Sequence, residues 1–173
     1  MSSLRYSQAR STFGRLWIAE TDAGVAATSR VEALDRFLTP LRRRFRDTVL
    51  EPGTVDTSWL EEGRRPRLDL TGLPAFDAAV YRVVAEIPMG ETATYGEVAA
   101  RVRSPAAARA VGNAIARCPL FPAVPCHRVV RAADGWSGWG GDPALKRRLL
   151  DDERRRVGGP APRRAAPPPR RSR

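Results

Sequence analysis

Histidine, lysine and cysteine are scarce in this chain of 173 residues: there is one histidine, His127, one lysine, Lys146, and two cysteines, Cys118 and Cys126. Two thiols eight residues apart do not make a disulfide framework and read as reduced cytosolic thiols. With one imidazole, and both sulfurs in one short segment, a protein-only tetrahedral zinc site is hard to assemble, so no metal is expected. Long apolar runs are also missing. No stretch of 18 apolar residues occurs and no charged-then-apolar leader opens the chain, so a soluble, unsecreted protein is expected, with no membrane partner.

Positive charge, by contrast, is abundant. The formal net charge of +11 and a pI near 11.2 favour a polyanionic partner. DNA or RNA comes before an anionic membrane, because no amphipathic basic helix stands out. Five arginines and no acid lie in residues 158–173, a Pro/Gly-rich tail with too little apolar surface to offset ordering entropy. It is expected to be disordered, as a solvated terminus or as a non-specific phosphate tether. The dominance of arginine over a single lysine points to a GC-rich genome and a bacterial cytoplasm.

The pattern along the chain predicts an α+β protein. Residues 16–20 and 24–28 are short apolar segments split by a turn sequence, which predicts an antiparallel hairpin. Val31, Leu34, Leu38, Leu41 and Phe45 then recur at helical spacing, with a break expected near Pro40. A small antiparallel sheet with a covering helix follows from these segments. Arg42, Arg43, Arg44 and Arg46 read as a solvated face closing that helix. Residues 51–66 look irregular, and Leu68-Asp69-Leu70 look like one more strand. From Pro74, a stripe of Phe76, Val80, Val83, Val84 and Ile87 predicts a helix ended by Pro88-Met89-Gly90. Thr94 should cap a helix through Val102, and Ser104-Pro105 should open another through Arg117. The two make a helix-turn-helix candidate. The second carries tiny side chains at Ala106, Ala107, Ala108, Ala110 and Gly112, with Arg109 projecting among them. That face suits close approach to another surface, or plain Ala-rich packing.

The densest chemistry lies in Pro125-Cys126-His127-Arg128-Val129, where a cysteine stands beside the only histidine. A thiol is a useful nucleophile as its thiolate, and a neighbouring imidazole is a common way to generate one. A buried structural cysteine with an incidental histidine is the plain alternative. Residues 132–142 form a Gly/Trp loop. A final helix from Pro143 to about Glu153 would bury Leu145, Leu149 and Leu150 and let Glu153 reach back towards His127.

Residues 74–153 resemble the O6-alkylguanine-DNA alkyltransferases, the methylated-DNA–protein-cysteine methyltransferase family. Five blocks stand in that family's order: residues 87–91, Thr94-Tyr95-Gly96, residues 108–112, residues 125–130, and Lys146 with Leu149-Leu150 ahead of Glu153. The N-terminal part is similar more loosely, through Thr12-Phe13-Gly14. The resemblance implies an auxiliary RNase H-like domain over 1–73, an alkyltransferase domain over 74–157 and the tail 158–173.

It implies the chemistry as well. Cys126 would take the alkyl group from O6 of a flipped guanine in duplex DNA, O4-alkylthymine being a further candidate substrate, and each molecule would act once, as a monomer without cofactor. A Glu153–His127–water–Cys126 relay would draw off the thiol proton. Tyr95 would donate towards guanine N3, and the Val129 and Cys126 carbonyls would accept from its exocyclic amine. Pro125, Trp139 and Gly140 would complete the pocket. Arg109 would fill the place of the extruded nucleotide, with Ala106, Ala107, Ala108, Ala110, Gly112 and Thr94 against the DNA. Two departures stand out. Cys118 replaces the family's Asn at the turn before the active site, and this would loosen the site or permit a Cys118–Cys126 disulfide. The loop Trp139-Gly140-Gly141-Asp142 is also altered, with Asp142 as a candidate N-cap. The alternatives are a non-repairing lesion-binding or regulatory DNA module and, with least support, a multiple-turnover thiol hydrolase.

Overall fold

The computed structural model describes residues 3–60, 64–138 and 142–159. Strands β1 (Ser3–Ser11), β2 (Gly14–Thr21) and β3 (Gly24–Ser29) form an antiparallel meander, and β4 (Val49–Pro52) pairs parallel with β1. The predicted hairpin is β2–β3. The sheet is nevertheless mixed, not wholly antiparallel, because the chain crosses over through helix α1 (Leu34–Arg44) before adding β4. Leu68 makes only an isolated bridge to Val25, so the expected strand over 68–70 is not formed. The Asp69 side chain instead binds the Thr21 hydroxyl at 2.6 Å and the Thr71 N–H at 2.9 Å, which turns the chain away.

Pro40 does not break α1. Phe37, Leu38 and Leu41 are buried against Leu4, Ala19, Ala26 and Ala27 of the sheet, and this burial outweighs the one backbone hydrogen bond that proline removes. Arg44 departs from the solvated-face expectation. Its side chain is only 9% exposed, and its guanidinium donates to the carbonyls of Thr71, Ala26 and Asp69. Arg42, Arg43 and Arg46 are exposed or partly exposed, in line with the expectation.

The other sheet face supplies Leu16, Ile18 and Val25 to a second cluster shared with Val80, Tyr81 and Val84 of α2 (Ala75–Ala85), Val111 and Ile115 of α4 (Ala108–Ala116), and Cys126. Buried packing therefore runs across the boundary at 73/74. Thr28 crosses it too, its N–H donating to Pro119 O at 2.8 Å and its hydroxyl to Phe121 O at 2.5 Å.

Helix α3 (Tyr95–Arg101) begins at a capping box: Thr94 Oγ1 accepts from Glu97 N–H at 3.1 Å, and the Glu97 carboxylate accepts from Thr94 N–H at 2.6 Å. Ser104-Pro105 does not open α4, contrary to the sequence expectation. Ala107 N–H donates to Ser104 O at 2.8 Å, so Pro105 occupies the second position of a turn and the helix starts at Ala108. Short strands β5 (Ala93–Thr94) and β6 (Val129–Val130) pair in parallel, and α5 (Pro143–Arg156) closes the described fold with Asp142 accepting from Leu145 N–H at 2.9 Å. Among the described residues no helix is long and apolar enough to cross a membrane. The tail beyond Gly159 lies outside the described residues.

Candidate active site and nucleic-acid interface

Cys126 opens a 3-10 turn (Cys126–Arg128) between the proline-rich segment and β6, and it is 0% exposed. The turn projects His127 and Arg128 towards α5. His127 Nε2 lies 2.6 Å from Glu153 Oε1, and Arg128 closes on the same carboxylate through Nε at 3.0 Å and Nη2 at 2.9 Å. Gly90 N–H adds a fourth donor at 3.2 Å, while Arg128 Nη1 reaches Ile87 O at 2.6 Å. The end of α5, the loop after α2 and the cysteine turn are thereby tied to one carboxylate.

The electrostatics follow from this packing. Burial works against the Glu153 charge, but the hydrogen bonds and charges of His127 and Arg128 prevail and bring its pKa down to about 2. Burial lowers the pKa of His127, with Glu153 opposing, so the ring is neutral near pH 7. A neutral ring that donates through Nε2 to a carboxylate presents Nδ1 as an acceptor. Nδ1 is buried and has no hydrogen-bond partner among the described residues. The Cys126 thiol is pushed above its ordinary pKa by its contact with Cys118 and by burial, with the Lys146 charge pulling the other way. The sulfur is therefore a thiol at rest. Proximity to His127 alone does not make it a thiolate.

Lys146 is a site residue whose role the sequence did not disclose. It is fully buried, and burial brings its pKa down to about 8. Its ammonium donates to Val129 O at 2.5 Å and to Ser137 O at 3.3 Å, holding β6 to the following loop. The Val129 carbonyl, expected to face a guanine amine, thus already accepts one hydrogen bond. The Cys126 carbonyl accepts from Val129 N–H. The sequence marked Lys146 in two ways, as the one lysine of an arginine-rich chain and within the block ahead of Glu153, but neither disclosed its contacts.

Tyr95, Ala108, Arg109 and Gly112 line one open cavity of about 610 Å³ together with Arg131, Trp136, Ser137 and Gly138. The Tyr95 ring packs beside Gly112 of α4, where a Cβ would stand 3.7 Å away, in ordinary contact. Gly138, which sequence reasoning missed, sits at φ +101°, where a Cβ would fall 2.4 Å from the Tyr95 hydroxyl. Val111, Ala114 and Ile115 form the buried side of α4, whereas Ala106, Arg109 and Ala110 are exposed. Ala-rich core packing therefore does not account for Ala106 and Ala110, while Ala107, Ala108 and Gly112 are half-buried. Ala106 lies in the turn before α4 and Ala107 at its N-cap. Thr94 is engaged in its capping box, at the base of α3. Pro125, His127 and Glu153 line a separate cavity of about 300 Å³ on the side of Phe13 and Trp59. Trp139 and Gly140 lie outside the described residues.

Comparison with known proteins identifies the family. Residues 75–155 match the family model described as 6-O-methylguanine DNA methyltransferase, DNA binding domain. The inducible methylated-DNA–protein-cysteine methyltransferase of Bacillus subtilis is 35% identical over 146 residues, covering 78% of this chain and 82% of the relative. A crystal structure of a variant of Mycobacterium tuberculosis OGT superposes with a TM-score of 0.66 at 30% identity, covering 88% of this chain and 93% of that one. The same organism's OGT in complex with DNA gives a TM-score of 0.57 at 26% identity, covering 91% and 95%. With most of both chains matched in sequence and in fold, the protein belongs to the methylated-DNA–protein-cysteine methyltransferase family.

Proposed function

We infer that the protein repairs DNA by irreversible transfer of an alkyl group from O6 of guanine to Cys126. The observation that carries the residue assignment is the 2.6 Å contact between Glu153 and Nε2 of His127, the residue that follows the cysteine. It leaves Nδ1 as the only ring nitrogen able to receive the thiol proton, through a water. As that proton departs, the imidazolium that forms faces a carboxylate already ionised, and the Cys126 electron pair attacks the alkyl carbon. The new S–C bond forms as the C–O6 bond breaks, and the electron pair leaves with the purine. Tyr95 donates towards N3 and neutralises the charge that develops there. The product is a thioether from which no ordinary group regenerates a thiol, so one molecule serves one lesion.

Helices α3 and α4 act as a helix-turn-helix, and the sheet with α1 acts as an RNase H-like auxiliary unit. The exposed Ala106, Ala110 and Arg109 form the DNA-reading face. Small residues let the backbone approach the minor groove, and the guanidinium offsets the cost of unstacking the flipped nucleotide. The chain works as a monomer in the cytoplasm, and its Bacillus relative supports a bacterial host. Incubation with duplex DNA bearing O6-methylguanine should add about 14 Da to the peptide holding Cys126. An unmodified thiol after stoichiometric exposure would reject this reading. Tight lesion binding without that mass gain would mark a binding-only module instead.

A further inference from the structure

We propose that Cys118 is a resolving thiol, which a peroxide joins to Cys126 in a reversible disulfide that withdraws the alkyl acceptor from use. The proposal rests on the reading of Cys126 as that acceptor. Both side chains pack into the cluster that contains Tyr81, Leu120 and Val124, and Cys118 is near enough to be the main cause that raises the Cys126 thiol pKa. A disulfide needs close, pre-aligned Cβ atoms, and a turn of eight residues holds both side chains against one cluster. Pro119, Pro122 and Pro125 restrict the segment between them, so little chain motion is needed or available.

Access separates the two thiols. Cys126 is 0% exposed, whereas Cys118 is partly exposed and lines a cavity of about 580 Å³ bounded by β3, α1 and the start of α2. Arg36, Arg43 and Arg117 also line that cavity, which shares no residue with the one holding Tyr95 and Arg109. An oxidant thus reaches Cys118 without entering the guanine pocket. The Cys118 sulfur attacks one peroxide oxygen, the O–O bond breaks, and a sulfenic acid and one water result. The Cys126 sulfur then attacks the sulfenic sulfur, the S–O bond breaks, and hydroxide leaves with the Cys126 proton as a second water. Two thiols and one hydrogen peroxide become one disulfide and two waters. A basic side chain that can receive the proton of Cys126 for alkyl transfer serves this attack as well. A thiol at position 118 is a poor hydrogen-bonding pin for the turn, so its chemistry, not its packing, distinguishes it there.

The test uses the full reduced chain, treated with a few equivalents of hydrogen peroxide, blocked with iodoacetamide and weighed intact. The expected result is a loss of about 2 Da, a linked Cys118–Cys126 peptide and a matching loss of methyl acceptance, all reversed by dithiothreitol. Cys118→Asn and Cys118→Ser should each abolish the 2 Da loss and make peroxide inactivation slower. A gain of about 16 Da without loss of two protons, or a disulfide only between molecules, would overturn the proposal. The thiol mass is read without DNA, whereas methyl acceptance by the untreated chain is read first. A failure of the alkyl-transfer reading therefore appears separately from a failure of the disulfide.

Discussion

His127 and Arg128 are sequence neighbours that close on one carboxylate, Glu153, which lies 25 residues beyond Arg128, the imidazole at 2.6 Å and the guanidinium at 2.9 Å. Both keep the carboxylate ionised, His127 through the larger effect, and the carboxylate in turn orients the imidazole. Glu153→Gln replaces a charged acceptor by an amide that cannot satisfy both donors and leaves Arg128, with its side chain 13% exposed, without a counter-charge. The expected cost is about 3 kcal/mol, read from urea denaturation. Methyl transfer should slow roughly 10- to 100-fold because the ring loses its fixed tautomer. Transfer at the wild-type rate would remove Glu153 from the relay.

The same carboxylate predicts an acid-sensitive fold. Its pKa is about 2 in the folded chain against an ordinary 4.5, so the unfolded chain binds the extra proton between those values. Stability is therefore fully present above about pH 4.5 and falls as pH drops towards 2, by about 3 kcal/mol from this group. Asp69, whose pKa is also lowered through hydrogen bonds from Thr21 and Thr71 that overcome its burial, acts in the same direction. Urea midpoints measured from pH 6 downward should fall steeply for the wild type and less for Glu153→Gln. Parallel acid limbs would mean that the pair does not carry the effect.

Gly138 permits the loop to lie on the Tyr95 hydroxyl. An alanine there meets two obstacles, a φ of +101° and a Cβ 2.4 Å from the hydroxyl oxygen. Gly138→Ala should destabilise the protein by roughly 1–3 kcal/mol and displace Tyr95 or the loop. Methyl transfer should slow about tenfold, in line with the loss of one hydrogen-bond donor in the transition state. Affinity for undamaged duplex should hold, because Arg109 and the exposed alanines are untouched. An unchanged transfer rate would show that Tyr95 is not needed in its present position.

The parts of the fold legible from sequence are those whose burial is written locally. The stripe from Phe76 to Val84 became α2, with Ile87 just past its end, and Thr94 announced α3, because periodicity and capping act within a few residues. Strand β1 escaped notice because, of its nine residues, Leu4 alone is buried, leaving no alternation to read. Pro40 and Ser104-Pro105 misled for a related reason. Local propensity was outweighed in α1 by burial of Phe37 and Leu41, and at Ser104 a turn used the same proline that a helix start would have used. In the site, Cys126, His127 and Glu153 were visible as a motif plus a helix end. The block ahead of Glu153 included Lys146, but its contacts were not legible, since a buried ammonium is satisfied only by carbonyls that the tertiary fold brings to it.

Arg109 provides the cleanest separation of DNA handling from chemistry. It is exposed on α4, lines the cavity with Tyr95, and stands apart from the buried Val111 and Ile115 of the same helix. Arg109→Ala should therefore leave thermal stability within about 0.5 kcal/mol of wild type. With duplex DNA carrying O6-methylguanine, the transfer rate should fall roughly 10- to 100-fold, the equivalent of about 1–3 kcal/mol of lost stacking in the vacated site. With free O6-methylguanine base no nucleotide has to leave a stack, and the variant and wild type should react alike. Equal losses on both substrates would place Arg109 in the chemistry of the pocket, and no loss on either would remove it from base extrusion.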